Sequence, residues 1–152
     1  MALQKWKGNQ MRYFIVVRKD IANPYSAENL AHTKSEFWSS YNDDGEPRKN
    51  AEVYATIQKG DKILCYSGVE KAICAILEAG AKDSEGITME FQTALNIPLE
   101  SIKAHYETLL ELSPEKYSPF SSDKRNIFFG TFFEASEAQF YYLCGLHFER
   151  LN

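Results

Sequence analysis

No apolar stretch of this 152-residue chain approaches the roughly 18 residues a membrane-spanning helix requires, so no helical span is expected. The opening MALQKWKGNQ has no apolar signal core, and the expectation is a cytoplasmic protein that is not exported. Cysteine is scarce and odd in number: Cys65, Cys74 and Cys144 stand among apolar neighbours, with no CxxC spacing. That excludes a disulfide framework and fits buried, reduced thiols. Cys65 lies in an apolar stretch with no basic motif beside it, which is the setting of a packed thiol and not of a nucleophile. Histidine is equally thin. His32, His105 and His147 are far apart, none with a second His or Cys at metal-ligand spacing, so neither a metal nor a cofactor is expected. GxSxG, GxxxxGK[ST] and GxGxxG are all missing, which removes the local signatures of a serine hydrolase, a P-loop and a dinucleotide fold. An excess of basic residues is missing too. The net charge of −4 counts against tight, sequence-blind duplex binding.

What the chain does have is rings and an uneven charge. Aromatic residues make up 14%, with 9 Tyr, 10 Phe and 2 Trp. They are core, pocket lining, or both. Residues 1–71 hold 11 Lys/Arg against 9 Asp/Glu, a net of +2, whereas residues 72–152 hold 6 against 12, a net of −6. An anionic partner should therefore meet the first half.

The length suits one domain with a real core, taken as residues 12–152 behind a loose segment 1–11. Residues 12–18, RYFIVVR, read as a buried central strand. A short helix over 26–33 and a short strand over 36–40 follow, then the polar loop YNDDGEPRKN. The acids in that loop, Asp43 and Asp44, read as solvated. Residues 51–57 read as a helical turn or two, and 62–67, 70–78 and 87–95 as strands joined by Gly-bearing turns. Residues 96–111 start extended at Ile97-Pro98 and become helical, Ser113-Pro114 resembles another helix start, 124–133 reads as a strand and 136–145 as a helix. Successive hairpins without βαβα alternation imply an α+β fold with a curved mixed β-sheet or small open barrel flanked by short helices.

Three segments in order carry a resemblance: RYFIVVRKD at 12–20, EFWSS at 36–40, and QKGDKILCYSGVEKAICAILEAG at 58–80, with IPLESIK at 97–103 in support. Together they resemble the EVE and YTH families of the PUA-like superfamily. The resemblance implies a PUA-like fold and a concave sheet that holds one extruded base. In YTH domains the base is N6-methyladenine in RNA, held in an aromatic cage. In EVE-like domains of modification-dependent restriction systems of the McrBC type it is a modified DNA base. By the same resemblance Trp38 matches the cage Trp and Ser39 its polar neighbour, and Arg18, Lys19 and Asp20 match the polar exit of the first strand that contacts the nucleotide. Tyr66 and Ser67 fall where the third strand would open on the same face. The chain departs from YTH domains in the loop before the fifth strand: AKDSEG has no aromatic to serve as second cage Trp. Tyr66, Tyr54 or another ring substitutes, or the cage is incomplete.

The implied protein is a binding module for a flipped, modified base (methylated adenine or cytosine type). Its pocket is Trp38, Ser39, Tyr54, Tyr66 and Ser67, and Arg18, Lys19, Asp20, Arg48 and Lys49 lie along the nucleic-acid backbone. The implied partner is nucleic acid, with DNA favoured over RNA, and the module would serve a fused or associated nuclease or NTPase, with no membrane involved. A ring stacked on a base contributes about 1–3 kcal/mol, and a fitted methyl group adds about 1–3 kcal/mol of discrimination. Trp38 and Tyr66 should open onto one cavity, outside the packed core. The alternatives are an RNA-binding PUA/ASCH-like module and a small amidohydrolase on the same scaffold, which a Lys paired with Glu or Thr in the pocket would favour.

Overall fold

β-branched and aromatic residues crowd positions 13–17, and there the chain forms a strand buried on both faces, as its unbroken apolar run requires. The computed structural model describes residues 11–19, 35–42, 44–83, 85–120, 127–128 and 130–151. The elements in order are β1 (Tyr13–Arg18), β2 (Ser35–Trp38), α1 (Ala51–Tyr54), β3 (Lys62–Ser67), β4 (Ala72–Lys82), β5 (Ile87–Pro98), α2 (Leu99–Ala104), α3 (Tyr106–Glu111), β6 (Phe132–Ala135) and α4 (Glu137–Leu151). The segment 1–10, the helix expected over 26–33 and the proposed contact Asp20 lie outside the described residues.

The six strands form one mixed sheet in the order β2-β5-β4-β3-β1-β6. β1 and β3 run parallel, and every other neighbouring pair is antiparallel. In a flat sheet the two outermost of six strands would lie about 24 Å apart. Here Trp38 on β2 and Phe132 on β6 meet with ring centroids 6.0 Å apart. The sheet therefore curls until its two edges share one side. The register between β4 and β5 shifts after Ile73, Ile76 and Ala79, and that between β3 and β4 shifts at Cys65/Tyr66. Bulges of this kind add local twist and bend.

The curl sorts the side chains into two cores. Phe14, Val16, Ile63, Cys65, Cys74, Leu77, Ile87, Met89 and Phe132 fill the concave side together with Trp38, and Val53, Tyr54 and Ile57 from in and after α1 join them. Tyr13, Ile15, Val17, Leu64, Tyr66, Ile73 and Ile97 face the other way and pack against Ile102, Tyr106, Leu109, Phe140, Leu143 and Leu146 of α2, α3 and α4. The α+β curved sheet is as the hairpin pattern implies, except that α1 packs on the concave side and not outside.

Two expected elements are absent from the described residues. Of the strand read over 124–133, residues 124–126 and 129 lie outside the described residues, and in the rest strand pairing begins only with β6 at Phe132, because Phe128 and Gly130 take φ of 62° and 150°, which no strand accommodates. Ser113-Pro114 starts no helix; Ser113 closes α3, its Oγ donating to the Leu109 carbonyl at 2.9 Å. In the other direction β5 is longer than expected, running unbroken through Ile97-Pro98.

Candidate base-binding site

Period-two alternation on β1 puts Phe14 and Val16 on the concave side, and Arg18 is the next residue in that row. Its guanidinium carbon sits 5.1 Å from the centroid of the Trp38 ring. The backbone beneath it is tied down. The Gly68 N–H donates to the Arg18 carbonyl at 2.7 Å, and a Cβ at Gly68 would lie 3.1 Å from the Lys19 backbone, so a small residue is needed where the β3–β4 turn meets the end of β1. Ser67 is paired in register with Arg18. Ser67 is fully buried, and its Oγ accepts the Glu70 N–H at 3.1 Å, which fixes the turn.

Trp38 ends β2 and is only 3% exposed. It belongs to the concave core, not to a wall outside it, which corrects the sequence expectation: the curl brings Phe132 from the opposite edge against its ring. Its indole Nε1 is buried and has no hydrogen-bond partner among the described residues. Around it the backbone is well held. The Tyr54 hydroxyl donates to the Trp38 carbonyl at 3.2 Å, and the Tyr54 ring packs on Phe132 at 5.3 Å. Burial, with Asp83 nearby, pushes the Tyr54 hydroxyl up from its ordinary pKa and keeps it a donor. Lys82 lies 4.7 Å over the Tyr54 ring and donates to the carbonyls of Tyr54, Ala55 and Ile57 at 2.8, 3.0 and 3.1 Å. This is a cation on the C-terminal carbonyls of α1. Burial lowers the Lys82 pKa, against a smaller opposing pull from Asp61. Gly86 closes the far side, where a Cβ would fall 2.3 Å from both the Trp38 carbonyl and the Phe37 ring.

The chain leaving Trp38 folds back on itself. Arg48 donates from Nε to the Ser39 carbonyl at 3.0 Å and from its backbone N–H to the Ser40 carbonyl at 2.8 Å. Ser39 Oγ accepts the Tyr41 N–H at 3.2 Å. Asn50 Nδ2 reaches the Phe132 carbonyl at 3.1 Å, anchoring the start of α1 to β6. Arg48 thus sits one residue from Trp38, while Lys19 and Lys49 are exposed.

Trp38, Tyr54, Ser67 and Arg18 are brought to one side, with Ser39 at its rim. Tyr66 is not. It stands on the helix side of β3, stacked on Phe128 at 4.2 Å, and burial raises its hydroxyl pKa. Leu64 and Tyr66 alternate with Ile63 and Cys65, and only the latter pair faces Trp38. Sequence reasoning missed Phe132 and Lys82, and it gave Arg18 to the phosphates alone. The alternation Phe14, Val16, Arg18 was the available signal for the last.

Among the described residues no group of three or more His, Cys, Asp or Glu could hold a metal, and no helix is long and apolar enough to cross a membrane. A cleft of about 270 Å³ opens elsewhere, between Met11–Tyr13, Pro114 and Glu134–Glu137, with the Arg12–Glu134 ion pair beside it.

No protein-family model matches the sequence, and none of the curated proteins matches it. Among solved structures the chain is similar to one described as the crystal structure of the MmI1 YTH domain. The two are 13% identical, aligned over 92% of this chain and 97% of that one, with a TM-score of 0.45. A likeness at that level does not bear on what the site binds.

Proposed function

We propose that the chain is a reader: a non-catalytic module that takes one flipped, modified nucleobase onto the concave side of the sheet at Trp38. The observation that carries this is the buried Trp38 indole N–H, without an acceptor among the described residues, on a ring whose face lies under the Arg18 guanidinium where β1 ends. An unpaired buried donor costs about 1–3 kcal/mol. A sugar or phosphate oxygen of the flipped nucleotide, lying in the plane of the indole, would satisfy it. A flat ligand stacked on Trp38 gains about 1–3 kcal/mol, which offsets part of the few kcal/mol needed to unstack the base. Ser39 would read its rim, and Tyr54 holds the Trp38 backbone in place for it. Lys19, Arg48 and Lys49 would border the phosphates, in keeping with the net +2 of residues 1–71.

An amidohydrolase is less well supported. Lys82, the lysine at Tyr54, directs its Nζ to three backbone carbonyls. The Lys62–Glu78 pair at 2.6 Å belongs to the Leu64/Tyr66 row of β3, on the helix side. The preference for DNA, the service to a restriction system with its nuclease or NTPase, and a cytoplasmic setting follow the EVE resemblance of RYFIVVRKD, EFWSS and the 58–80 segment.

The test is an anisotropy titration against matched DNA and RNA oligomers that each carry a single N6-methyladenine, 5-methylcytosine or unmodified base. One modified oligomer should bind at least tenfold tighter than its unmodified twin. Equal binding across the whole panel rejects the proposal.

A further inference from the structure

We infer that Arg18 is the second wall of the base site, closing over the base from the face opposite Trp38, and that it thereby restricts the site to electrically neutral modified bases. The inference rests on the base-reading function proposed above and assigns Arg18 a role other than a phosphate contact.

The loop at 81–86, AKDSEG, supplies no second aromatic, and Tyr66 faces the helices. What does lie over Trp38 is the guanidinium of Arg18, 5.1 Å from the ring centroid. Guanidinium is planar and delocalised and stacks on π faces as an aromatic ring does. A base held between two flat groups needs about 7 Å between them, twice the ordinary carbon–carbon contact of about 3.5 Å. The side chain must therefore lift by at least about 2 Å and exchange its other interactions for the base. The flexible stem of an arginine allows this while the backbone stays pinned through Gly68 and the in-register Ser67. Without a ligand the guanidinium rests on the indole; with one, the base slides between them.

Such a wall selects by charge. A cage of aromatic rings alone favours cations, because every wall presents a negative π face. A guanidinium wall attracts the π face of a neutral base and repels a base that carries a positive charge, in a site with little water to screen it. Methylated bases come in isomeric pairs that differ in this respect. N6-methyladenine and 5-methylcytosine are neutral near pH 7, whereas N1-methyladenine and N3-methylcytosine are largely cationic.

The experiment measures dissociation constants of wild type, Arg18→Gln and Arg18→Lys for oligomers identical but for one isomer, using the pair whose neutral member binds. Wild type should favour the neutral isomer at least tenfold. Arg18→Gln should shrink that ratio at least threefold, and Arg18→Lys, which keeps the charge, should retain most of it. An unchanged ratio in Arg18→Gln overturns the inference. So does equal weakening of both isomers with a lower salt slope, which is the signature of a phosphate contact. Failure of wild type to bind any modified oligomer overturns the base-reading function itself, and this inference with it.

Discussion

Trp38 is a core residue that the proposed function also makes part of a site. It is 3% exposed and packed against Phe132, so Trp38→Ala should cost about 3–5 kcal/mol of stability, and its binding loss could not be separated from unfolding. Trp38→Phe separates the two. The smaller ring loses packing but also removes the orphaned N–H, whose burial costs about 1–3 kcal/mol. The free protein should therefore unfold in urea within about 1 kcal/mol of wild type. Affinity for the modified oligomer should nevertheless fall about tenfold, since the donor to the flipped nucleotide is gone. A Trp38→Phe protein destabilised by about 3 kcal/mol, with affinity unchanged, would make Trp38 a core residue only. At this scale the sequence was half legible. Trp-Ser at the end of a short strand marked Trp38, and the row Phe14, Val16, Arg18 carried a face. ILCYS did not: residues apolar on both sides of a buried strand give no parity signal, so nothing in it tells that Tyr66 and Cys65 point to opposite cores.

Elements position the site through contacts that no single segment announces. α1 is four residues long and could not persist alone. It is held by Asn50 on β6 at one end and by Lys82 from β4 at the other, and it delivers Tyr54 to the Trp38 carbonyl. Lys82→Met keeps the stem over the Tyr54 ring but removes the ammonium from three carbonyls, so it should destabilise by about 1.5–3 kcal/mol, the range for hydrogen bonds to a charged group. It should also weaken oligomer binding beyond what the unfolded fraction explains. A variant as stable as wild type in urea would mean that water replaces the ammonium at no cost. The strands around this contact were legible because β-branched and aromatic runs between Gly turns leave few alternatives. β6 was not. NIFFGTFF has the composition of a strand, yet left-handed φ at Phe128 ends any strand there and sends its ring to the helix side, while Phe132 enters the concave core. Positive φ at a phenylalanine is decided by tertiary packing and leaves no local mark.

At the scale of the whole molecule two fields act, one inside and one outside. Inside, burial raises the pKa of several acids: the Tyr13 hydroxyl to about 12, with Tyr141 adding to the effect, the Cys144 thiol to about 11, and Tyr54 and Tyr66 upward. A raised folded-state pKa gives stability that is intact below the unfolded value and lost as pH rises through the folded one. The thermal midpoint should hold between about pH 7 and 8.5, where ordinary thiols begin to ionise, and fall steadily from there toward pH 11. A midpoint unchanged at high pH would show these hydroxyls reaching water. Outside, the chain is polarised. The net +2 half supplies β1, β2, α1 and β3, and the net −6 half supplies β4, β5, β6 and α2 to α4. On the proposed function a nucleic acid would be drawn to the Arg18 end of β1 and repelled from the helices. Lys19 is exposed directly after β1, and Lys103 is exposed on α2 in the acidic half. If phosphates pass that end of β1, Lys19→Ala should weaken modified and unmodified oligomers by the same factor and reduce the slope of log K against log salt by about one unit. Lys103→Ala should leave slope and affinity alone, because a charge more than a Debye length of about 8 Å from the strand is screened. A slope that drops for Lys103→Ala and not for Lys19→Ala would put the nucleic acid on the helix side and remove it from Trp38 altogether.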